Sequence, residues 1–110
     1  MATITFYRVV SEQEKKDFNI DGLFRTATNT LEAKQFFRSI EAINEFVDNA
    51  RLQKYHPPYK YLLTIKLDKE HFNDISRVEM MLDGFDAVSI HEDYLSAFNN
   101  CVIFVESERL

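Results

Sequence analysis

The segment from Tyr59 to Leu67 constrains the fold more than any other part of the sequence. Its odd-numbered positions carry apolar or aromatic side chains: Tyr59, Tyr61, Leu63, Ile65 and Leu67. Polar side chains occupy most of the even-numbered positions: Lys60, Thr64 and Lys66. Because successive side chains of a β-strand point to opposite faces of the sheet, this alternation predicts a strand with one buried face.

Four further segments have the composition of strands. Residues 3–10 are rich in β-branched and aromatic side chains, which favour an opening strand. Residues 35–38 and 87–90 predict short extended segments, and the apolar run that begins at Cys101 predicts a last strand over residues 101–106. The secondary structure of residues 76–82 is ambiguous from the sequence, and Asp83-Gly84 is typical of a turn.

Helices are predicted between these strands. Ser11 and Glu14 have the spacing of a capping box, and Gly22 is a suitable left-handed end for the helix that follows. Ser39 predicts the next helix start, and apolar residues then recur at helical spacing until His56-Pro57-Pro58. Residues 68–75 predict a short helix and residues 91–99 another, which Asn99-Asn100 would end, whereas the polar stretch 25–34 predicts a loop.

These elements alternate without the strict order of βαβ units. The sequence therefore predicts an α+β fold, with a mixed or antiparallel sheet and three to four helices. Its length of 110 residues fits one domain spanning residues 1–110. Ten Phe and no Trp predict a core built largely of phenylalanine.

Composition also limits the function classes. A formal charge of −5 makes nucleic-acid binding unlikely, although Lys54, Lys60 and Lys66 offer a small basic surface. No apolar run reaches the length of a membrane span, so we expect a protein of the cytoplasm that does not enter a membrane. The sequence shows neither a glycine-rich phosphate loop nor a paired-cysteine metal motif, and Cys101 is expected to be a buried thiol. We therefore predict no metal site.

Three places remain where side chains could carry chemistry. Tyr7-Arg8 lies near the end of the opening strand, where alternation puts the two side chains on opposite faces of the sheet. Phe36-Phe37-Arg38-Ser39 is an aromatic strand that delivers a serine to a helix start. Glu106-Ser107-Glu108 closes the last strand, where the acids are either at the mouth of a cleft beside the opening strand or in a frayed terminus.

Together these places resemble the ADP-ribosyltransferase-like superfamily, especially its small bacterial and toxin-type members. Members often begin with a strand ending in Tyr-Arg or Tyr-His, as Phe6-Tyr7-Arg8 does, and continue with an aromatic strand that runs into a serine, as at Ser39. A late strand, a Glu-rich helix ending in Phe-Asn and a final acid-bearing strand also look similar. The chain departs from the family in having Ala33-Lys34-Gln35 where glycine usually precedes the aromatic strand.

The resemblance implies an NAD-using ADP-ribosyltransferase or NAD glycohydrolase acting on a possible protein target. Arg8 or Tyr7 would anchor NAD, Ser39 would contact the ribose, and Glu106 (or Glu108 as the alternative acid) would stabilise the cationic sugar as nicotinamide leaves. Tyr59 or Tyr61 could stack on nicotinamide, although a place in the core suits both. We then expect Arg8, Ser39 and Glu106 to converge in one cleft where the two ends of the chain meet.

The alternative is a non-catalytic protein-interaction module on a small acidic α+β domain. Its acids would face a basic partner: Glu12, Glu14, Asp17, Glu41, Glu45 and Asp48. An apolar patch near Tyr55 and Tyr59, rimmed by charge, is expected in that case. The sequence does not decide between these functions, and it leaves the oligomeric state open.

Overall fold

The alternating segment forms the third strand of one β-sheet. The computed structural model describes residues 2–22, 24, 33–52, 59–82 and 85–109, and these form six strands and four helices. In chain order the elements are β1 (Thr3–Val10), α1 (Glu12–Asp21), β2 (Ala33–Phe37), α2 (Ile40–Leu52), β3 (Tyr61–Asp68), α3 (Lys69–Asn73), β4 (Val78–Leu82), β5 (Phe85–His91), α4 (Glu92–Cys101) and β6 (Val102–Arg109).

All pairings in the sheet are antiparallel, and the strand order is β4-β5-β2-β1-β3-β6. The predicted α+β class is confirmed. The expectation that the first and last strands are neighbours is wrong, because β3 lies between β1 and β6. Tyr7 is opposite Thr64, and Thr64 is opposite Glu106.

The ends of α1 follow the predicted chemistry. The Ser11 hydroxyl accepts a hydrogen bond from the Glu14 backbone N–H at 3.3 Å, which satisfies one of the unpaired donors at a helix start. Gly22 has a φ of 71°, and its N–H donates to the Phe18 carbonyl. The left-handed conformation at this position explains why glycine suits it.

The serine before α2 acts in the same way. The Ser39 hydroxyl accepts from the Ala42 backbone N–H at 3.3 Å. Ala42 and Ile43, on the buried side of the helix, pack against Val9 and Phe37 of the sheet. The predicted helix is confirmed over Ile40–Leu52, whereas the prolines expected to end it lie outside the described residues.

The last helix is longer than predicted. Cys101 is its final residue and not the start of a strand, because its side chain lies on the buried face of the helix with Leu95 and Phe98. Asn99 does not end the helix, since its side-chain amide makes two hydrogen bonds to the backbone of Phe24, at 2.8 and 3.0 Å. That tertiary contact outweighs the local preference of asparagine for a helix end.

Other predicted boundaries also change. The segment 76–82, which was ambiguous from the sequence, contains the edge strand β4. Residues 33 and 34 belong to β2 and not to a loop. The rest of that loop and the predicted Asp83-Gly84 turn lie outside the described residues. β3 is buried on both faces near its start, where Leu62 and Leu63 point in opposite directions.

Each face of the sheet has its own hydrophobic layer. On the three-helix face, side chains of β1, β2, β3 and β5 pack against residues of α1, α3 and α4. On the α2 face, Val9, Phe37, Leu62 and Ala87 pack against the single helix α2. Five phenylalanine rings form the centre of the first layer, as expected: Phe6, Phe24, Phe36, Phe72 and Phe98.

Candidate functional site

Arg8 lies on the three-helix face, where structural contacts engage its whole guanidinium. Its Nε and Nη2 donate to the two carboxylate oxygens of Glu14 at 2.8 and 2.9 Å, and Nη1 donates to the Gln35 carbonyl at 2.8 Å. The group also stands 5.7 Å from the centre of the Phe36 ring. Arg8 thus ties α1 to the first two strands of the chain.

Lys34 is a second cation beside the same carboxylate. Its Nζ lies 3.4 Å from Glu14 Oε1, and its side chain is only 9% exposed. Burial raises the pKa of Glu14, but hydrogen bonding and charge from Arg8, together with Lys34, outweigh burial and hold that pKa below its ordinary value. Burial, and then the charge of Arg8, lower the pKa of Lys34. We call these three residues the Arg8–Glu14–Lys34 cluster.

Glu106 points away from this cluster. In an antiparallel sheet, directly opposite residues share a face, so Tyr7, Thr64 and Glu106 project from the α2 face whereas Arg8 projects from the other. Two strand spacings, about 10 Å, also separate β1 from β6. The prediction that Arg8, Ser39 and Glu106 converge in one cleft is therefore wrong.

The other predicted site residues have packing roles. Ser39 caps α2. Tyr7 is half-buried on the α2 face and packs with the cluster of Val9 and Phe37. Tyr59 packs there too, with its ring centre 5.5 Å from that of Phe46, whereas the alternative Tyr61 lies beneath Lys15 on the three-helix face. The structure thus brings Tyr7 and Glu106 to one face and leaves Arg8 on the other.

The outer edge of β6 is one of the two open edges of the described sheet, and β4 forms the other. Within the described residues this eight-residue strand pairs only with β3, so its second edge has no strand beside it. Ile103 is 49% exposed and Phe104 is 41% exposed. The backbone N–H and C=O groups along such an edge are able to pair with another strand.

The side chains of β6 on the α2 face form a regular series. Phe104, Glu106 and Glu108 alternate along the strand, opposite Lys66, Thr64 and Leu62 of β3 respectively. Lys66 Nζ lies 5.4 Å from the centre of the Phe104 ring. A shallow hollow beside the series is lined by Thr64, Glu106, Ser107 and Glu108. We call β6 with this series the acidic edge.

The sequence contained a signal for this surface. Apolar residues change to acids of one parity between Phe104 and Glu108, which is the pattern of a strand with a charged outer face. The acids continue a paired strand as far as Arg109, so they are not a frayed terminus. Glu14 is one of the surface acids of the interaction hypothesis, but the structure holds it in the cluster with Arg8.

The described residues contain no group of three or more His, Cys, Asp or Glu side chains arranged to hold a metal ion. Among the described helices, none is long and apolar enough to cross a membrane. No family model, curated protein or solved structure matches the chain. The resemblance to ADP-ribosyltransferases therefore stays a prediction from short motifs.

Proposed function

We propose that this domain is a non-catalytic protein-interaction module that binds an extended segment of a partner along β6. The observation that carries the proposal is the eight-residue edge strand, which pairs only with β3 among the described strands and exposes Ile103 and Phe104. A strand added there would extend the sheet through main-chain hydrogen bonds, while side chains would set specificity.

The length of β6 supports this mode of binding. Alternate residues of an antiparallel strand direct both their N–H and C=O groups to the same side. The pairing with β3 shifts register at Ile103, and the regularly paired part of β6 runs from Phe104 to Arg109, so about three of its residues face the open edge with both backbone groups. α2 packs over the middle strands of the sheet, so the α2-face side chains of β6 remain accessible beside that edge.

The NAD-linked activity has less support from the geometry. Arg8 already makes three hydrogen bonds within the chain, and Glu106 lies on the opposite face. Incubation with NAD and measurement of released nicotinamide tests that alternative directly. Turnover that Glu106→Gln abolishes would replace the interaction proposal with the enzymatic one.

A pair of proline variants tests the binding edge. Glu106 and Ser107 are exposed neighbours on β6, so one directs its backbone groups to β3 and the other to the open edge. Proline removes an N–H donor, and an outward position of an edge strand tolerates that loss. We therefore expect one of Glu106→Pro and Ser107→Pro to unfold more easily and the other to keep the stability of the wild-type chain.

Binding is then measured with peptides selected from a random display library on the wild-type chain. The stable proline variant should lose binding, and amide hydrogen exchange in the wild-type complex should slow at alternate residues of β6. Peptides that bind the stable variant with unchanged affinity, or that protect amides elsewhere, would contradict the proposal.

A further inference from the structure

We propose that the segment bound by the acidic edge is basic, with the pattern basic–X–basic–X–apolar, and runs antiparallel to β6. This inference rests on the proposed function, because it assumes that β6 accepts a strand. It adds the chemistry of the partner, which follows from the order of side chains along the edge.

The spacing of the series on the α2 face sets the spacing of the motif. Phe104, Glu106 and Glu108 lie two residues apart along the strand, about 7 Å between neighbours. An added strand presents its own side chains on that face with the same period. Residues i, i+2 and i+4 of the partner therefore face the two acids and the aromatic ring.

The charges set which partner residue lies at each position. Exposed Glu106 and Glu108 favour lysine or arginine opposite them, since opposite charges across two strands stabilise the pair. The Lys66 ammonium group already lies at the Phe104 ring, so a further cation there would meet like charge. An apolar or aromatic side chain opposite Phe104 instead gains contact with the exposed ring.

The direction follows from the rest of the sheet. Every pairing among the described strands is antiparallel. An antiparallel pair is also slightly more stable per residue than a parallel one. In that direction a partner read from its N-terminus meets Glu108 first, then Glu106 and finally Phe104.

A second copy of this chain fits the edge less well. Antiparallel self-pairing centred on Glu106 would set this carboxylate directly against its own copy. Centring the pair on Val105 would still leave the two Glu106 side chains on a diagonal, about 7–8 Å apart. The formal charge of −5 on each chain adds to the repulsion. Charge complementarity therefore favours a basic partner.

Fluorescence anisotropy with three labelled peptides of about eleven residues tests the motif. One contains basic–X–basic–X–aromatic, the second has that order reversed, and the third has glutamate at the basic positions. We expect the first to bind most tightly, the reversed peptide several-fold more weakly, and the acidic peptide at least tenfold more weakly. Raising the salt concentration from about 50 to about 300 mM should weaken binding of the first peptide more than binding of the other two.

Variants of the chain separate a local effect from net charge. In Glu106→Gln/Glu108→Gln, affinity for the basic peptide should fall about fourfold, since each of the two exposed cross-strand ion pairs contributes roughly a factor of two. Glu12→Gln/Glu45→Gln removes the same charge from α1 and α2 and should change affinity less than twofold. Glu106→Lys/Glu108→Lys should reverse the preference between basic and acidic peptides.

The possible results distinguish the two proposals. If the peptides bind and protect β6 amides without regard to charge or order, the motif is wrong and the proposed function stands. If both double glutamine variants weaken binding equally, net charge explains the effect and the motif is likewise wrong. If none of the peptides, including those selected from the random library, protects β6, the proposed function itself fails.

Discussion

Replacing Arg8 by glutamine should destabilise the fold, because the structure gives this residue a role in packing. The variant loses two hydrogen bonds to Glu14 and one to the Gln35 carbonyl. Among the described residues, Lys34 would then be the cation that remains beside the partly buried Glu14. A residue that served only to bind a ligand could be removed with little effect on the free energy of unfolding.

The magnitude follows from the burial of the pair. Removing one partner of a fully buried ion pair costs about 3–5 kcal/mol. The side chains of Arg8 and Glu14 keep 18% and 27% exposure, which reduces the penalty. Lys34 already lies 3.4 Å from Glu14 and can replace part of the attraction. We therefore expect a loss of about 2 kcal/mol, equivalent to a fall of roughly 10 °C in Tm.

Urea denaturation at about pH 7 measures this loss, and a double-mutant cycle with Glu14→Gln isolates the pair. Arg38→Gln is the matched control, since the Arg38–Glu79 ion pair is 32% and 55% exposed and such pairs contribute at most about 1 kcal/mol. A loss for Arg8→Gln no larger than that for Arg38→Gln, with no coupling to Glu14, would refute the structural role.

The same pair predicts a pH dependence. The pKa of Glu14 is lower in the folded chain than its ordinary value of 4.5. Its stabilising contribution is therefore complete above about pH 4.5 and is lost as the pH falls through the lower folded pKa. We expect the difference in stability between the wild-type chain and Arg8→Gln to shrink as the pH falls below 4.5. A difference that stays constant down to about pH 2 would contradict this assignment.

Three further measurements test the fold. Phe98→Ala should lower the free energy of unfolding by about 3–5 kcal/mol, because this ring packs against three other phenylalanines; a loss below about 1 kcal/mol in urea denaturation would contradict that packing. Gly22→Ala should cost about 1 kcal/mol from its φ of 71° alone, since nothing lies within 4 Å of the added Cβ, and Gly22→Asn should cost less by the same assay. Burial raises the pKa of Cys101, so a thiol reagent should react slowly with the folded chain and fully in denaturant; fast reaction under native conditions would show that the thiol is exposed.

Local chemistry made much of this fold predictable from sequence. The cap at Ser11, the left-handed end at Gly22 and the cap at Ser39 each depend on contacts within about four residues. The alternation from Tyr61 to Leu67 also predicted which side chains of β3 face the three helices. The prediction of a single buried face was wrong, because Leu62 is buried on the α2 face and Tyr59 packs there too. The extended length of α4 was not predictable, because it depends on hydrogen bonds between Asn99 and Phe24.

The geometry of the predicted cleft depended on strand order, which local patterns do not determine. Parity within β1 already separated Tyr7 from Arg8, and the buried Phe6 shares the parity of Arg8. The burial of Phe6 is a finding of the structure, and it places Arg8 on the side of a packed layer. The face occupied by Glu106 followed only from the register of β6 on β3, with β3 inserted between the chain's first and last strands.

The two edge strands of the sheet, β4 and β6, differ in their length and in the charges they present to a docking strand. β4 is only five residues long, and its Glu79 already pairs with Arg38 and Arg77. β6 is longer, and its exposed carboxylates lie along the edge where a strand would dock. Such charges oppose edge-to-edge association between copies of the chain, because each copy presents the same sign. A basic segment would reverse that effect, so the acids that oppose self-pairing would be the ones that favour the proposed partner.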